Sequence, residues 1–558
     1  MAIPAAKALR RLEALRLDLG AGRGARKLLL LRELEHGRLS SRQSISRLHE
    51  VLCFIRAYPD DRAVLAMVVA MLNSFSKRAD LRRHRAALDD SGIAGTRIRY
   101  RFYWPTARRL AARWPRQLYI DWDAQDEPDR LAAALPMLAT PIEAAWLRGR
   151  APRAQAAITR MSAGKVGDGT FLVRRIEAMP GDDFTREAFA DSLDTPLLIE
   201  PGVDTPSRTL AWHSRSPLTF VTAPLRRTRP DLRAELERPP RAVRAASPIE
   251  GARLIELAMT ALVTRSRDVD GIAYGNARDV WMVDDAHGLQ WAFIGLVPER
   301  RQLLRASHGF LTLKNGVPIG YGQMDTLFRC ADVSFNSFDT FRGAETAWIF
   351  ARLLAATKAL LGACSFTLDG YQLGHHNEEA IASGAWWFYQ KLGFRPRVAA
   401  TRKLANIELA RMKEKPAHLT GKATLRKLAA DTMVFETHGA RAANWPRMTD
   451  VGALAADLLA GMAGDREAAV RECSREAMRR LGLKSIAGLN PKRPDAQRAW
   501  DRWAPLCCLL PVTRWNSQDR RALAEIIVAK GGASEREFLM RFDAHPRLSL
   551  ALRALTRA

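Results

Sequence analysis

A tight Arg-Gly turn feeding a helix is the place in this chain where residue type and spacing point most directly to chemistry. Phe341-Arg342-Gly343-Ala344 follows a strand-like run and opens an apolar-periodic stretch over 346–361. Such a turn presents free backbone N–H groups and the positive end of a helix dipole, which together bind phosphate. Gly343 lets backbone approach an anion, and Arg342 adds a fixed positive charge. Taken alone, the pattern is better explained as a plain strand-to-helix turn with a surface arginine. Further on, His375 and His376 precede Asn377, Glu378 and Glu379. Adjacent histidines on an extended segment point to opposite faces, and no third ligand stands at a recognisable spacing, so no metal is expected there. Asp204, Ser207 and His213 do not make a hydrolase triad, because no Gly-x-Ser-x-Gly elbow accompanies them.

The elements that must position the turn can be read around it. Residues 309–313 run as a strand into Lys314-Asn315-Gly316, and Asn-Gly is the strongest short hairpin signal. Residues 317–323 return as the second strand, and 331–338 alternate as a third. After the helix, 364–368 reads as another strand. A His/Asn loop then leads to a helix through Ala385, Trp386, Trp387 and Tyr389 to Gly393 and Phe394. The two tryptophans read as core.

Away from this stretch the chain divides by composition. Residues 1–95 read as a helical region, with Ile55, Val64, Met67, Val68 and Leu72 at helical spacing and a helix start at 58–61. Residues 96–222 read as mixed α/β, including strand-like runs and Pro-Gly turns over 160–220. Here Arg97, Arg99 and Arg101 alternate with Ile98, Tyr100 and Phe102, and a basic stretch with Arg108, Arg109, Arg113 and Arg116 follows. Arginines interleaved with Tyr100, Phe102, Tyr103 and Trp104 suit either a solvated sheet face or a track for single-stranded nucleic acid. Residues 223–248 are rich in Pro and Arg and read as a linker. The chemistry-bearing domain spans 249–400. Residues 401–558 read as helical and basic, with breaks at Asn490-Pro491 and Gly531-Gly532. Arg471, Arg475, Arg479 and Arg480, interleaved with Glu472 and Glu476, read there as an exposed charged helix. No internal repeat at a fixed period is present.

The order of hairpin, third strand, Arg-Gly turn, helix, strand and helix, closing on Ala385, Tyr389, Lys391, Gly393 and Phe394, resembles the GNAT superfamily of acyl-CoA N-acyltransferases over about 246–400. The resemblance implies an α/β fold, a mixed sheet with antiparallel hairpins and flanking helices, to which helix-rich basic N- and C-terminal regions are added. It implies acetyl-CoA as co-substrate, its pyrophosphate held along Phe338, Thr340, Phe341, Arg342, Gly343, Ala344, Glu345 and Thr346. An amine would attack the thioester, and freeing it from its proton at pH 7 costs about 4–5 kcal/mol, which calls for a general base. Asp325, Asp332, His375, His376 and Glu378 lie on or near the strands and loop in question, with Glu378 and His375 the foremost candidates. Tyr389 matches the family position that supplies a proton to the departing thiolate. The family's loop runs Gln/Arg-x-x-Gly-x-Gly/Ala, and here Thr340, Gly343 and Glu345 fall at its first, fourth and sixth positions. An acid in the first turn favours the helix by about 0.3–1 kcal/mol. Pointed inward, it would repel a pyrophosphate. The alternative is therefore a GNAT-fold binding or regulatory protein without acyl transfer, associated with nucleic acid through its basic flanks.

Composition bounds these readings. The 558 residues are 47% hydrophobic and 26% charged, which excludes disorder and collagen-like structure for the whole. The net charge is +27, but residues 121–400 carry 33 basic and 33 acidic side chains. The excess lies in 1–120, with 25 against 10, and in 401–558, with 29 against 17. A neutral middle disfavours a protein that coats nucleic acid along its length. Six scattered cysteines make no disulfide framework and point to a reducing compartment. The longest apolar run, 64–72, is far short of the roughly 20 residues that span a bilayer. With no continuous apolar segment at the N-terminus either, a cytoplasmic protein without a membrane span is expected. No acceptor-pocket motif specifies the amine.

Overall fold

A computed structural model describes residues 4–20, 22–437, 448–462, 465–484 and 494–555. Its N-terminal part consists of helices Ala5–Leu15, Gly24–His36, Arg42–Ala57 and Arg62–Asn73, followed by shorter turns. Their apolar stripes, among them Leu31, Leu34, Ile45, Leu48, Val64 and Val68, meet in a core of their own. The helix start read at 58–61 is an N-cap: the Asp61 carboxylate accepts the Val64 N–H at 2.9 Å.

Three short strands, β1 (Ile98–Tyr100), β2 (Leu118–Ile120) and β3 (Leu197–Ile199), form an antiparallel sheet in the order β1-β3-β2. The strand-like runs expected over 160–220 are mostly helix: Ala154–Ser162, Asp168–Glu177 and Asp183–Leu193 precede β3. These helices are only 9 to 11 residues long, so their ends read in the sequence as frequent turns.

The large sheet contains β4 (Ala242–Ala245), β5 (Gly275–Ala286), β6 (Leu289–Leu296), β7 (Ala306–Lys314), β8 (Val317–Leu327), β9 (Cys330–Ser337), β10 (Ser365–Leu368), β11 (Arg395–Pro396) and β12 (Met433–Glu436). Its order is β11-β12-β10-β9-β8-β7-β6-β5-β4. The fold is mixed α/β. From β4 to β9 each strand is antiparallel to the next. The helix Thr346–Leu361 then crosses over, and β10 returns parallel to β9. The 223–248 segment is not a bare linker. It holds the helix Leu232–Glu237, with Leu232 and Leu236 buried, and then edge strand β4. Likewise β12 lies beyond residue 400 yet pairs antiparallel with β10.

Helices Pro494–Leu509, Ser517–Lys530 and Glu535–Ala544 share the sheet's core through Trp500, Trp503, Phe538 and Phe542. Gly531-Gly532 follows the second of them, whereas the break at Asn490-Pro491 lies outside the described residues.

One irregularity of the sheet opens a cleft. The β8–β9 ladder continues to Gly320 opposite Ser337, but the β9–β10 ladder stops at Asp332 opposite Thr367. Beyond that point the sheet opens between its parallel strands.

Candidate functional site

The opening is a cleft of about 880 Å³. Residues 334–337 of β9, the turn Arg342-Gly343-Ala344 and the first helical residues Thr346 and Ala347 make one wall. Tyr371, Gln372, Phe388 and Tyr389 make another. Of the residues the sequence brings forward, Arg342, Gly343, Ala344, Thr346 and Tyr389 therefore meet in one place. Gly343 has φ of 79°, and nothing lies within 4 Å of where its Cβ would stand, so the backbone there is open to a ligand. Arg342 donates from Nε to the Ser337 carbonyl at 3.2 Å and pairs with Asp339 and Glu379 at 2.7 Å each. Hydrogen bonds from Arg342 and then Arg267 hold the Glu379 carboxyl below its ordinary value. The Thr346 Oγ1 is buried and has no partner in the protein.

Three of the expected residues hold the turn from behind. Phe338 is buried, stacked on Tyr321 with ring centroids 5.4 Å apart and with the Arg265 guanidinium 3.7 Å from its own centroid. Phe341 packs on Phe54, and the Thr340 hydroxyl donates to the Glu50 carboxylate. Both Phe54 and Glu50 belong to Arg42–Ala57, so an N-terminal helix braces the loop. Glu345 does not line the cleft. It is 6% exposed, 3.1 Å from the buried Lys314 Nζ, and its other oxygen accepts the Arg226 N–H at 3.2 Å. The acid that threatened a pyrophosphate is turned into the protein and neutralised.

Tyr389 is buried, and burial pushes its phenol up from the ordinary value. Gln372 Nε2 donates to Tyr389 Oη at 2.7 Å and to the Phe335 carbonyl at 2.8 Å. The carbonyl can only accept, which fixes the amide orientation. The phenol oxygen is thus an acceptor here, and its own proton remains available to a ligand.

Neither foremost base candidate faces the cleft. Glu378 is exposed and pairs with Arg426 at 2.8 Å. His375 is exposed in a turn, where its ring and that of His376 stand 4.1 Å apart, because the segment is not extended and the rings do not diverge. Asp325 accepts from Gln323 Nε2 at 3.2 Å. Asp332 marks the last β9–β10 pair, where burial, then Asp369 and Asp325, push its carboxyl up to about 7.

Two acids line the cleft: Glu379, held by Arg342 and Arg267, and Asp268. Asp268 accepts the Tyr103 N–H at 3.0 Å and the Thr106 hydroxyl at 2.6 Å, and burial pushes it up to about 6. Sequence reading passes over it because its partners stand 165 and 162 residues away. Arg226 and Arg227, from the segment read as a linker, also line the cleft, with Arg226 stacked 4.8 Å over the Trp348 ring. The density of arginines in that segment was the available signal.

The arginine-faced strand makes no free positive track. Arg97 pairs with Glu200 at 2.8 Å, Arg99 with Asp89 and Asp90 at 3.0 and 3.2 Å, and Arg101 with Asp194 at 2.8 Å. Arg108 pairs with Glu177 at 2.9 Å, while Arg109 and Arg113 share Glu256. Among the described residues no group of three or more His, Cys, Asp or Glu side chains gathers to hold a metal, and no helix is long and apolar enough to cross a membrane. Comparison of the chain with protein-family models, with curated proteins and with solved structures finds no match.

Proposed function

We propose that the protein is an acyl-CoA-dependent N-acyltransferase with a GNAT-like arrangement of its large sheet. The observation that carries the reading is that the Arg342-Gly343-Ala344 turn and the Tyr389 hydroxyl line one cleft, opened where β9 and β10 part. In this reading the pyrophosphate of acetyl-CoA lies on the amides after Gly343 and on the Thr346 hydroxyl, with Arg226, Arg227 and Arg342 around it. Turning Glu345 onto Lys314 removes the one carboxylate that opposed this placement.

Asp268 takes the proton from an incoming ammonium, being mostly ionised at pH 7 with its carboxyl near 6. The free amine attacks the thioester carbonyl carbon; the new C–N bond forms and the C–S bond breaks. Tyr389 gives its proton to the leaving thiolate, for which a phenol kept protonated by burial is suited. The open cleft favours this reading over an inactive binding module, and the ion-paired arginines of β1 give a nucleic-acid role no support.

The test is thiol release from acetyl-CoA in the presence of a panel of primary amines. Amine-dependent release that falls by about 10²–10⁴ in Tyr389→Phe supports the assignment. Failure of every amine class to release thiol, together with no acetyl-CoA binding, would overturn it.

A further inference from the structure

A second cavity, of about 1090 Å³, lies apart from the cleft and shares none of its lining residues. Its floor is β4, β5 and β6, at Arg244, Met282, Asp284 and Gln290. The helix Pro248–Val263 makes one side, and the loop 203–217 makes the other.

That loop is fastened to the tip of the β7–β8 hairpin. Trp212 Nε1 donates to the Asn315 carbonyl and the His213 N–H to the Gly316 carbonyl, both at 2.8 Å. Asn315, which a hairpin turn would leave in solvent, is fully buried, because its amide donates to the carbonyls of Ala57 and Thr219 at 2.8 and 3.0 Å. The wall is therefore built before any ligand arrives.

The acids around the cavity are already engaged. Glu256 holds Arg109 and Arg113, Glu250 holds Arg244 at 2.6 Å, Asp284 holds Arg241 at 2.7 Å, and Asp204 accepts from Trp114 Nε1 at 3.2 Å. Among the described residues Arg215 and Arg253, both lining the cavity, have no ion-pair partner. Two polar atoms on its lining are also left over. Gln290 is 6% exposed with Oε1 unpartnered, and Ser216 is equally buried with Oγ unpartnered. A buried polar atom without a hydrogen-bond partner is unfavourable, so each is a place for a ligand atom.

We infer that this cavity is a binding site for a small phosphate monoester that also carries hydroxyl groups. Two guanidinium groups match the charge of about −2 on a monoester near neutral pH. The Ser216 hydroxyl donates to a phosphate oxygen, and Gln290 Oε1 accepts from a ligand hydroxyl. The inference stands independently of acyl transfer.

Titrating the full chain with ribose 5-phosphate, with inorganic phosphate and with ribose, at constant ionic strength, tests it by thermal shift. Ribose 5-phosphate is expected to stabilise the protein more than phosphate or ribose. The exposed pair Arg215→Ala/Arg253→Ala is expected to weaken that binding by about tenfold or more. Gln290→Leu is expected to reduce the ribose 5-phosphate shift to that of phosphate, while Arg342→Ala in the other cleft is expected to leave the ribose 5-phosphate shift as it is. No shift at millimolar ribose 5-phosphate, a shift equal to that of phosphate, or a shift that survives the double arginine variant would overturn the inference. A shift lost in Arg342→Ala would overturn it too, by placing the ligand in the first cleft.

Discussion

Glu345 and Lys314 form a buried ion pair 3.1 Å apart at the root of the helix that carries the Arg-Gly turn. Burial pulls the Lys314 ammonium down, and Glu345 opposes that pull. Breaking one partner leaves an uncompensated buried charge, so Glu345→Gln is expected to cost about 3–5 kcal/mol in urea denaturation. A loss under about 1 kcal/mol would show that the pair is not buried in solution. At the same scale, Asp268 sets the expected pH profile. Burial holds its carboxyl near 6 and it must be ionised to accept a proton, so the proposed acyl transfer is expected to rise with pH through about 6. Asp268→Asn is expected to remove that limb and most of the rate while acetyl-CoA still binds. Retention of the limb would move the base elsewhere. Arg342, Gly343 and Tyr389 were legible in the sequence because a turn, a glycine and a helix end are local features. Asp268 was not, since its setting comes from Tyr103 and Thr106, far off in the chain.

Among the elements, the hairpin at Asn315-Gly316 and the helix Thr346–Leu361 could be read from turn chemistry and periodicity. β6 could not, because all eight of its residues are buried and no alternation shows. β12 could not either: it is four residues long and pairs with β10 across more than sixty intervening residues. The parting of β9 and β10 leaves Asp332 half-buried near Asp369 and Asp325, with its carboxyl raised from 3.8 to about 7. The folded protein therefore holds a proton there that the unfolded chain has released, and stability falls as pH rises across that interval. Asp332→Asn is expected to raise Tm at pH 8 and to leave it nearly unchanged at pH 4. Equal shifts at both pH values would mean that Asp332 is ionised normally.

Across the whole molecule, the C-terminal helices belong to the sheet's core. Trp503 is fully buried there and donates from Nε1 to the Leu303 carbonyl at 3.1 Å. Asp279 of β5 accepts from the Ser534 hydroxyl and the Glu535 N–H at 2.8 and 2.7 Å. Trp503→Ala is accordingly expected to cost about 3–5 kcal/mol and to lower the unfolding of sheet and C-terminal helices together. Separate transitions for the two would contradict a shared core. Composition gave a globular chain with basic ends, but it could not reveal that the arginines of β1 are matched by carboxylates from other segments. In the proposed reading the turn after β9 is a CoA cradle, and titration of the protein with acetyl-CoA, followed by thermal shift, decides whether it is. At 100 times its dissociation constant, acetyl-CoA is expected to stabilise the wild type by about 2.7 kcal/mol, with the effect largely lost in Arg342→Ala and Gly343→Asp. No shift at millimolar acetyl-CoA, or an equal shift in all three proteins, would contradict it.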